Sequence, residues 1–222
     1  MPFGKATWFV PTLTWQPVRW AERVVARFPS PSVVVDLGAG GRKIAPHVKT
    51  VDFVKFPGTD YVSDVTATPF ADGSVDLVIA TGVLEHVEDD RKLITEIRRI
   101  LKPGGQVYIE IPFLQQYHDD PIDCRRFTQS GLALLLNQHG FKTVESGTHI
   151  GPTVTVLTLT AYWFALWFEG KSFLNKLMSN GVFLVVSTVL WPFKFLDRLL
   201  IRKANAHRLA FGVYCTAEKI GT

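Results

Sequence analysis

The sequence predicts an α/β protein built on a Rossmann-like, doubly wound and mostly parallel sheet of seven strands. Val33, Val34 and Val35 form a β-branched run that is typical of a fully buried strand. An acid, Asp36, ends this run, and a glycine turn follows at once. Strand-like segments then alternate with helical patterns or short crossovers along the chain, which indicates a layered α/β fold.

The predicted elements follow from apolar periodicity and from turn residues. Strands are expected over 33–37, 50–54, 60–65, 75–80, 106–111, 141–147 and 211–218. Helices are expected over 16–28, 90–101 and 128–139, with Pro103-Gly104-Gly105 ending the second. The segment 42–48 allows only a short helix, broken near Pro46. The connections after the second and third strands are shorter than the usual dozen-residue crossover, so we expect their helices to be vestigial.

Composition limits the classes of protein that this chain can represent. Its 222 residues suit one domain with an elaboration, and 47% of them are hydrophobic, which is high for a soluble enzyme. Basic residues at the end of the apolar stretch 153–201 favour an anionic membrane surface and not nucleic acid. Two cysteines make no disulfide framework and the first 28 residues lack a signal-peptide pattern, so we expect a cytoplasmic protein.

Acids follow the first three predicted strands, at the edge of a parallel sheet where ligands bind. They are Asp36, Asp52 and Asp64. The glycine turn over 38–43 carries a lysine where the dinucleotide fingerprint needs its third glycine, and a Walker loop is absent from the sequence. A ligand with an ammonium group, a ribose and a base suits three carboxylates better than a pyrophosphate does.

Five motifs occur in the order and spacing of one large enzyme family. They are Val35-Asp36-Leu37-Gly38-Ala39-Gly40, Val51-Asp52, Ser63-Asp64-Val65, Leu84-Glu85-His86-Val87 and Leu101-Lys102-Pro103-Gly104-Gly105. Over 33–147 the chain resembles class I S-adenosylmethionine-dependent methyltransferases with a "LEHV…LKPGG" middle. The resemblance implies S-adenosyl-L-methionine as cofactor and an antiparallel seventh strand.

The resemblance also implies a cofactor site along the strand ends. Its expected members are Asp36, Gly38, Ala39, Gly40, Asp52, Phe53, Asp64, Val65, Thr81 and Gly82. In this assignment Asp36 lies near the ammonium group, Asp52 accepts from the ribose hydroxyls, and Asp64 takes the adenine amino group. Each residue alone has a structural alternative: a tight turn for the glycines, a solvated turn acid for Asp52 and a cap for Asp64.

The loop after the fifth predicted strand, 111–128, is dense in chemistry for a loop. His118 is the first candidate general base for a hydroxyl acceptor, with Asp119 or Asp120 as its orienter or as an alternative base. The expected acceptor-binding residues are His86, Tyr117, Asp123 and Arg126. The structural alternative is that His118 and Asp123 tie the loop to an arginine. Glu85, His86 and His118 fit no defined metal spacing, so we expect no metal.

Within that loop, His118-x-x-Pro121-x-Asp123-x-x-Arg126-Phe127-Thr128 resembles a segment of methyltransferases near bacterial cell-surface glycan pathways. The resemblance implies O-methylation of a sugar or related group on a glycan or lipid-linked intermediate. A soluble small-molecule acceptor is the alternative within the same enzyme class. A non-catalytic membrane adaptor is the alternative of another class, and the three carboxylates argue against it.

More than sixty residues separate the last two predicted strands. Two apolar runs, 153–168 and 181–195, are joined by the polar segment 169–180, and neither run reaches the 18 or so residues of a spanning helix. We expect three parts: a methyltransferase core over 1–152, an apolar helical insertion over 153–208 and a last core strand over 209–222. The insertion is expected to lie on the membrane face, and a lid or homodimer contact is the alternative.

Overall fold

The computed structural model describes residues 12–118 and 122–221. They form a seven-stranded sheet in the order β3-β2-β1-β4-β5-β7-β6. The strands are β1 Val34–Leu37, β2 Lys49–Asp52, β3 Tyr61–Val62, β4 Val75–Thr81, β5 Leu101–Pro112, β6 Phe141–Ile150 and β7 Gly212–Lys219. Strands β1 to β5 pair in parallel, and β7 is antiparallel, which confirms the predicted fold class.

The helices are α1 Trp20–Val25, α2 Asp90–Ile100, α3 Gln129–Gln138, α4 Pro152–Leu166, α5 Phe173–Leu190 and α6 Asp197–Leu200. Short 3₁₀ turns cover Leu84–His86, Trp191–Leu196 and Ala206–Leu209. Among the described residues no helix lies between β2 and β3 or between β3 and β4, as the short connections predicted.

The predicted central strand is the centre of the sheet. All four residues of β1 are buried, and β1 pairs with β2 on one side and with β4 on the other. A strand buried on both faces needs a continuous apolar run, which explains the Val33-Val34-Val35 signal. The acid at position 36 is the exception within that run, and it is fully buried.

Helices α2 and α3 begin where the sequence predicts them, each behind a capping side chain. The side chain of Asp89 accepts from the backbone N–H of Lys92, and Leu93, Ile94 and Ile97 face the core. Thr128 caps α3 in the same way by accepting from the N–H of Gly131. Both caps satisfy N–H groups that a helix start leaves without a partner inside the helix.

Pro103-Gly104-Gly105 does not end α2, contrary to the prediction. The chain is already extended at Leu101, which pairs with Val75, so β5 begins directly after the helix. The residues 102–105 form an irregularity in β5 because Leu77 next pairs with Gln106. Gly104 has a φ of 75° there, in the left-handed region that favours glycine.

Two predicted helices are also wrong in extent. The helix expected over 16–28 is confined to α1, since the N–H groups of Arg27 and Phe28 bond three residues back in a tighter turn. The helix expected over 42–48 is absent, and isolated turns replace it. Pro46 lies in that segment and lacks the N–H that a continuing helix would use.

The described residues fall into two compact units. The sheet unit comprises 19–112, 124–147 and 213–221, and its core includes Val34, Leu77, Ile79 and Tyr108. The described residues of the hairpin unit are 12–18, 113–118, 122–123 and 148–212. In the hairpin unit α4 packs on α5 through Leu157, Ala161, Phe183, Val186 and Leu190.

The sequence predicts that the polar segment 169–180 only connects the two apolar runs. In the structure, part of this segment is helical. Helix α5 begins at Phe173, because Ser172 caps it by accepting from the N–H of Asn175. The helical stretch Phe173–Leu200 has 28 residues and contains an 18-residue window with a mean hydropathy of 1.4, long and apolar enough by length and composition to cross a membrane. The expectation that neither apolar run is long enough is therefore wrong for this stretch.

Candidate active site

The glycine turn after β1 is held by the neighbouring strand. The N–H groups of Gly38 and Ala39 both donate to the carbonyl of Val51 in β2. Gly38 has a φ of 65°, and a Cβ added there would lie 2.4 Å from Cγ2 of Val83. Both facts favour glycine at this position. The structural alternative, a tight turn after the strand, therefore explains Gly38 without any ligand.

Gly40 differs from Gly38. Its N–H donates to Oδ2 of Asp52 at 2.8 Å, and a Cβ added at Gly40 would meet nothing within 4 Å. The chain is therefore open on this side, where a ligand can approach the backbone closely. Gly40 also has a φ of 58°, so the backbone alone accounts for glycine at this position.

Asp52 is buried, so the alternative of a solvated turn acid is wrong. Its Oδ2 accepts from the N–H of Gly40, and its Oδ1 accepts from the N–H of Val54 at 3.0 Å. One carboxylate thus joins the turn after β1 to the turn after β2. A carboxylate oxygen has further lone pairs, so Asp52 can accept from ligand hydroxyls in addition.

Asp36 is fully buried and pairs with Arg42. Nη2 of Arg42 lies 3.0 Å from Oδ1 and 2.9 Å from Oδ2 of Asp36. Burial raises the pKa of Asp36 to about 6, although Arg42 acts to lower it. The predicted partner of Asp36 was a ligand ammonium, and in the protein alone a cation from the following turn takes that place.

Asp64 follows β3 and is exposed. Its Oδ1 accepts from both the N–H of Thr66 at 2.8 Å and the Oγ1 of Thr66 at 2.9 Å, which is the capping arrangement given as its structural alternative. Phe53 exposes 66% of its surface at the same edge of the sheet, and Val65 is half-buried. Their predicted contacts with the adenine stay predictions.

Glu110, near the end of β5, is an acid at this edge of the sheet that the sequence analysis did not select. The N–H of Gly82, next to Thr81, donates to the backbone carbonyl of Glu110 at 3.1 Å. The side chain of Glu110 is buried and accepts from the hydroxyl of Tyr108 at 2.5 Å. An acid at the end of the fifth strand was the available signal, because the same reasoning had selected the acids that follow the first three.

The residues along this edge fit the cofactor that the sequence implied. The sheet unit offers an open backbone at Gly40, a buried acceptor at Asp52 and an exposed aromatic ring at Phe53. These groups suit an amino-acid moiety, ribose hydroxyls and a base in turn. Assignment of each contact to one part of the cofactor stays a prediction.

In the hairpin unit, His118 pairs with Asp123. Nδ1 of His118 lies 3.2 Å from Oδ2 of Asp123, and the same oxygen accepts from the N–H of His118 at 2.9 Å. The carboxylate that orients His118 is therefore Asp123, which had been assigned to acceptor binding. Asp119 and Asp120, the predicted orienters, lie outside the described residues.

The remaining predicted acceptor residues have the following positions. Arg125 donates to the carbonyl of Glu88 at 2.6 Å and pairs with Asp90 at 2.5 Å, so this arginine ties the loop to the start of α2. Arg126 donates to the carbonyl of Arg125 at 2.9 Å. His86 is half-buried in the 3₁₀ turn after β4, and Tyr117 is exposed.

The sequence of this chain is similar to sequences of known methyltransferases. Residues 18–109 match the family model described as "Methyltransferase domain". An O-methyltransferase of Aspergillus nomiae, rstn1, is 30% identical over an alignment that covers 50% of this chain and 65% of that protein. The human thiol S-methyltransferase TMT1B is 40% identical over 28% of this chain and 23% of its own length. The chain thus spans less than two thirds of these curated relatives.

A solved structure agrees in fold. The 1,6-didemethyltoxoflavin-N1-methyltransferase of Burkholderia thailandensis, with bound 1,6-didemethyltoxoflavin and S-adenosylhomocysteine, superposes with a TM-score of 0.56. It shares 18% sequence identity, and the match covers 98% of this chain and 83% of the other. At this identity the likeness concerns the fold.

The sheet order is that of the Rossmann-like methyltransferase fold. The match to the model Methyltransf_11 is confined to residues 18–109.

Proposed function

We propose that the protein transfers a methyl group from S-adenosylmethionine to an acceptor hydroxyl, with His118 as the general base. The observation that carries the hydroxyl assignment is the His118–Asp123 pair, at 3.2 Å between Nδ1 and Oδ2. A hydroxyl acceptor must lose a proton during transfer, and a histidine oriented by a carboxylate is a suitable base.

The pair sets the tautomer of the base. Nδ1 of His118 lies 3.2 Å from Oδ2 of Asp123 and 3.3 Å from Nε2 of Gln115. In the proposed mechanism Nδ1 donates to Asp123, and Nε2 receives the proton. The buried carboxylate then stabilises the imidazolium that forms, and the side chain of Asp123 is only 1% exposed. Sequence position supports the same role, because the loop that carries His118 follows the end of β5 directly.

The cofactor supplies a methyl group on a sulfonium centre, and its proposed holders are Gly40, Asp52 and Asp36. Bound there, the cofactor would supply an electrophilic methyl group for displacement by the acceptor oxygen. The hydroxyl proton passes to Nε2 of His118. Positioning of the two reactants supplies most of the rate enhancement in such a displacement, about 7–11 kcal/mol.

We further propose a sugar hydroxyl on a glycan or lipid-linked intermediate as the acceptor. The support is the resemblance of the segment 118–128 to methyltransferases near glycan pathways, and the apolar hairpin unit that suits a lipid-linked molecule. A soluble small molecule is the second candidate. It is favoured by the relatives, one of which is named as an O-methyltransferase and another as a thiol S-methyltransferase.

The test is methyl transfer from labelled S-adenosylmethionine into the lipid-soluble and water-soluble fractions of a cell extract. Label in the lipid-soluble fraction supports the lipid-linked acceptor, and label only in the water-soluble fraction supports the second candidate. His118→Asn should lower the transfer rate roughly 10²- to 10⁴-fold and leave cofactor affinity unchanged. Asp123→Asn should lower the rate in the same direction by removing the orienting charge.

His207→Asn is the matched control, because His207 is exposed and bonds only locally, with Nδ1 3.1 Å from the carbonyl oxygen of Ala204. Wild-type transfer rates in both loop variants would contradict the base assignment. Cofactor binding by the wild type without transfer into any fraction would favour the non-catalytic adaptor.

A further inference from the structure

The hairpin unit exposes apolar side chains on its outer side, in addition to those through which α4 packs on α5. Phe173, Leu177 and Val185 of α5 expose 82%, 58% and 63% of their surface. Ser187 of the same helix is fully buried. A helix at a water-facing surface shows the opposite arrangement, with apolar side chains inward and polar ones outward.

Helix α4 likewise exposes apolar side chains, and it buries polar ones beside its packed apolar residues. Thr155 and Thr158 are buried, whereas Val156, Leu159 and Trp163 are exposed. Thr155 satisfies its hydroxyl inside the unit by donating to the carbonyl of Leu209 at 2.7 Å. Two packed helices that both turn apolar side chains outward form a large exposed apolar patch. Such a patch is typical of an interaction surface.

The exposed apolar side chains run the whole length of the helical stretch, and we call them the hairpin face. It comprises Val156, Leu159, Trp163, Leu166 and Trp167 of the first helix and its end, with Phe173, Leu174, Leu177, Val185, Val189, Phe193, Leu196 and Leu199 of the second segment. Only 6% of the apolar window within Phe173–Leu200 is buried.

The charges around the hairpin face are almost all positive. Exposed basic residues of the hairpin unit are Lys171, Lys176, Arg198, Arg202, Lys203 and Arg208. Glu169 is its only exposed acid among the described residues, since Asp197 is buried with its carboxylate on the N–H groups of Thr153 and Val154. Such a border is complementary to an anionic surface.

We propose that the hairpin face binds in the plane of an anionic lipid bilayer. Apolar side chains, tryptophans and flanking basic residues form the combination that holds helices at the interface of a membrane. A two-fold dimer through the same face would bring identical basic borders together, which opposes self-association. Both ends of the hairpin return to strands β6 and β7 of one sheet, which suits binding along one surface.

The test is flotation of the full chain with two kinds of vesicle. One contains phosphatidylcholine alone, and the other also contains about 30 mole per cent of the anionic lipid phosphatidylglycerol. Binding should require the anionic lipid and weaken with salt. Arg202→Gln with Lys203→Gln should lower the partition coefficient roughly 30-fold, about fivefold for each charge. Leu177→Glu with Val185→Glu should abolish flotation.

Leu134→Glu in α3 is the matched control, because Leu134 is 56% exposed but belongs to the sheet unit. It should float as the wild type does. Circular dichroism and cofactor affinity, measured on every variant, show that the fold is retained. Equal binding to both vesicle types, or a concentration-dependent dimer without lipid that Val185→Glu disrupts, would overturn the proposal, as would the absence of flotation by the folded wild type.

Discussion

The sheet unit and the hairpin unit treat their side chains in different ways. The sheet unit buries apolar residues such as Leu77 and Ile79 and gathers acids at the ends of its strands. The hairpin unit packs Leu157 on Phe183 but also turns Leu177 and Val185 outward. The difference is the basis for the two proposals, a polar ligand for the first unit and a lipid surface for the second.

The comparison predicts its largest effect on stability. Leu93→Ala removes a fully buried side chain of α2 and should lower the free energy of unfolding by about 2–5 kcal/mol. Leu177→Ala removes a side chain that is 58% exposed and should change it by less than about 0.5 kcal/mol. Urea denaturation without lipid measures both, and an equal loss would mean that the hairpin face is already covered in solution.

The next effect concerns Asp36, whose folded-state pKa of about 6 lies above its ordinary value of 3.8. Between these values the folded protein holds a proton that the unfolded chain has lost, so stability falls as pH rises through this window. The free energy of unfolding of Asp36→Asn, relative to that of the wild type, should therefore rise by up to about 3 kcal/mol between pH 4 and pH 7. Denaturation at several pH values checks this, and a difference that is independent of pH would contradict the buried charge.

A smaller effect separates two glycines of the sheet unit. Gly38→Ala adds a Cβ that would lie 2.4 Å from Val83, whereas Gly104→Ala adds one in open space, and both positions have positive φ. Both variants carry the backbone strain, so the steric contact should make Gly38→Ala less stable by a further amount of about 1–3 kcal/mol. Thermal melts of the two variants measure that difference. Equal melting temperatures would show that Val83 yields.

Much of the sheet unit followed from local sequence signals. The run of valines required a buried central strand, and the apolar periodicity placed α2 and α3 within one residue of their observed starts. Local signals failed where a distant pairing decided the backbone. Leu101 is extended because it pairs with Val75, so the Pro-Gly-Gly signal marked a strand irregularity and not a helix end.

The site was predictable to a different degree. Acids at strand ends could be selected because parallel strands share one edge, and Glu110 was missed only because that reasoning was not carried to the fifth strand. The partners of these acids could not be predicted. The pairing of Asp36 with Arg42, and of His118 with Asp123, depends on loop paths that no periodicity encodes.

The central claim is that the carboxyl edge of the sheet unit binds S-adenosylmethionine, and calorimetric titration tests it most directly. The wild type should bind the cofactor and its demethylated product, S-adenosylhomocysteine. Asp52→Ala should weaken the affinity for both molecules by roughly 10- to 150-fold, because it removes hydrogen bonds to a charged acceptor. Asp72→Ala, which removes an exposed acid paired with Arg99, should bind as the wild type does. No binding by the folded wild type, or equal binding by Asp52→Ala, would contradict the account.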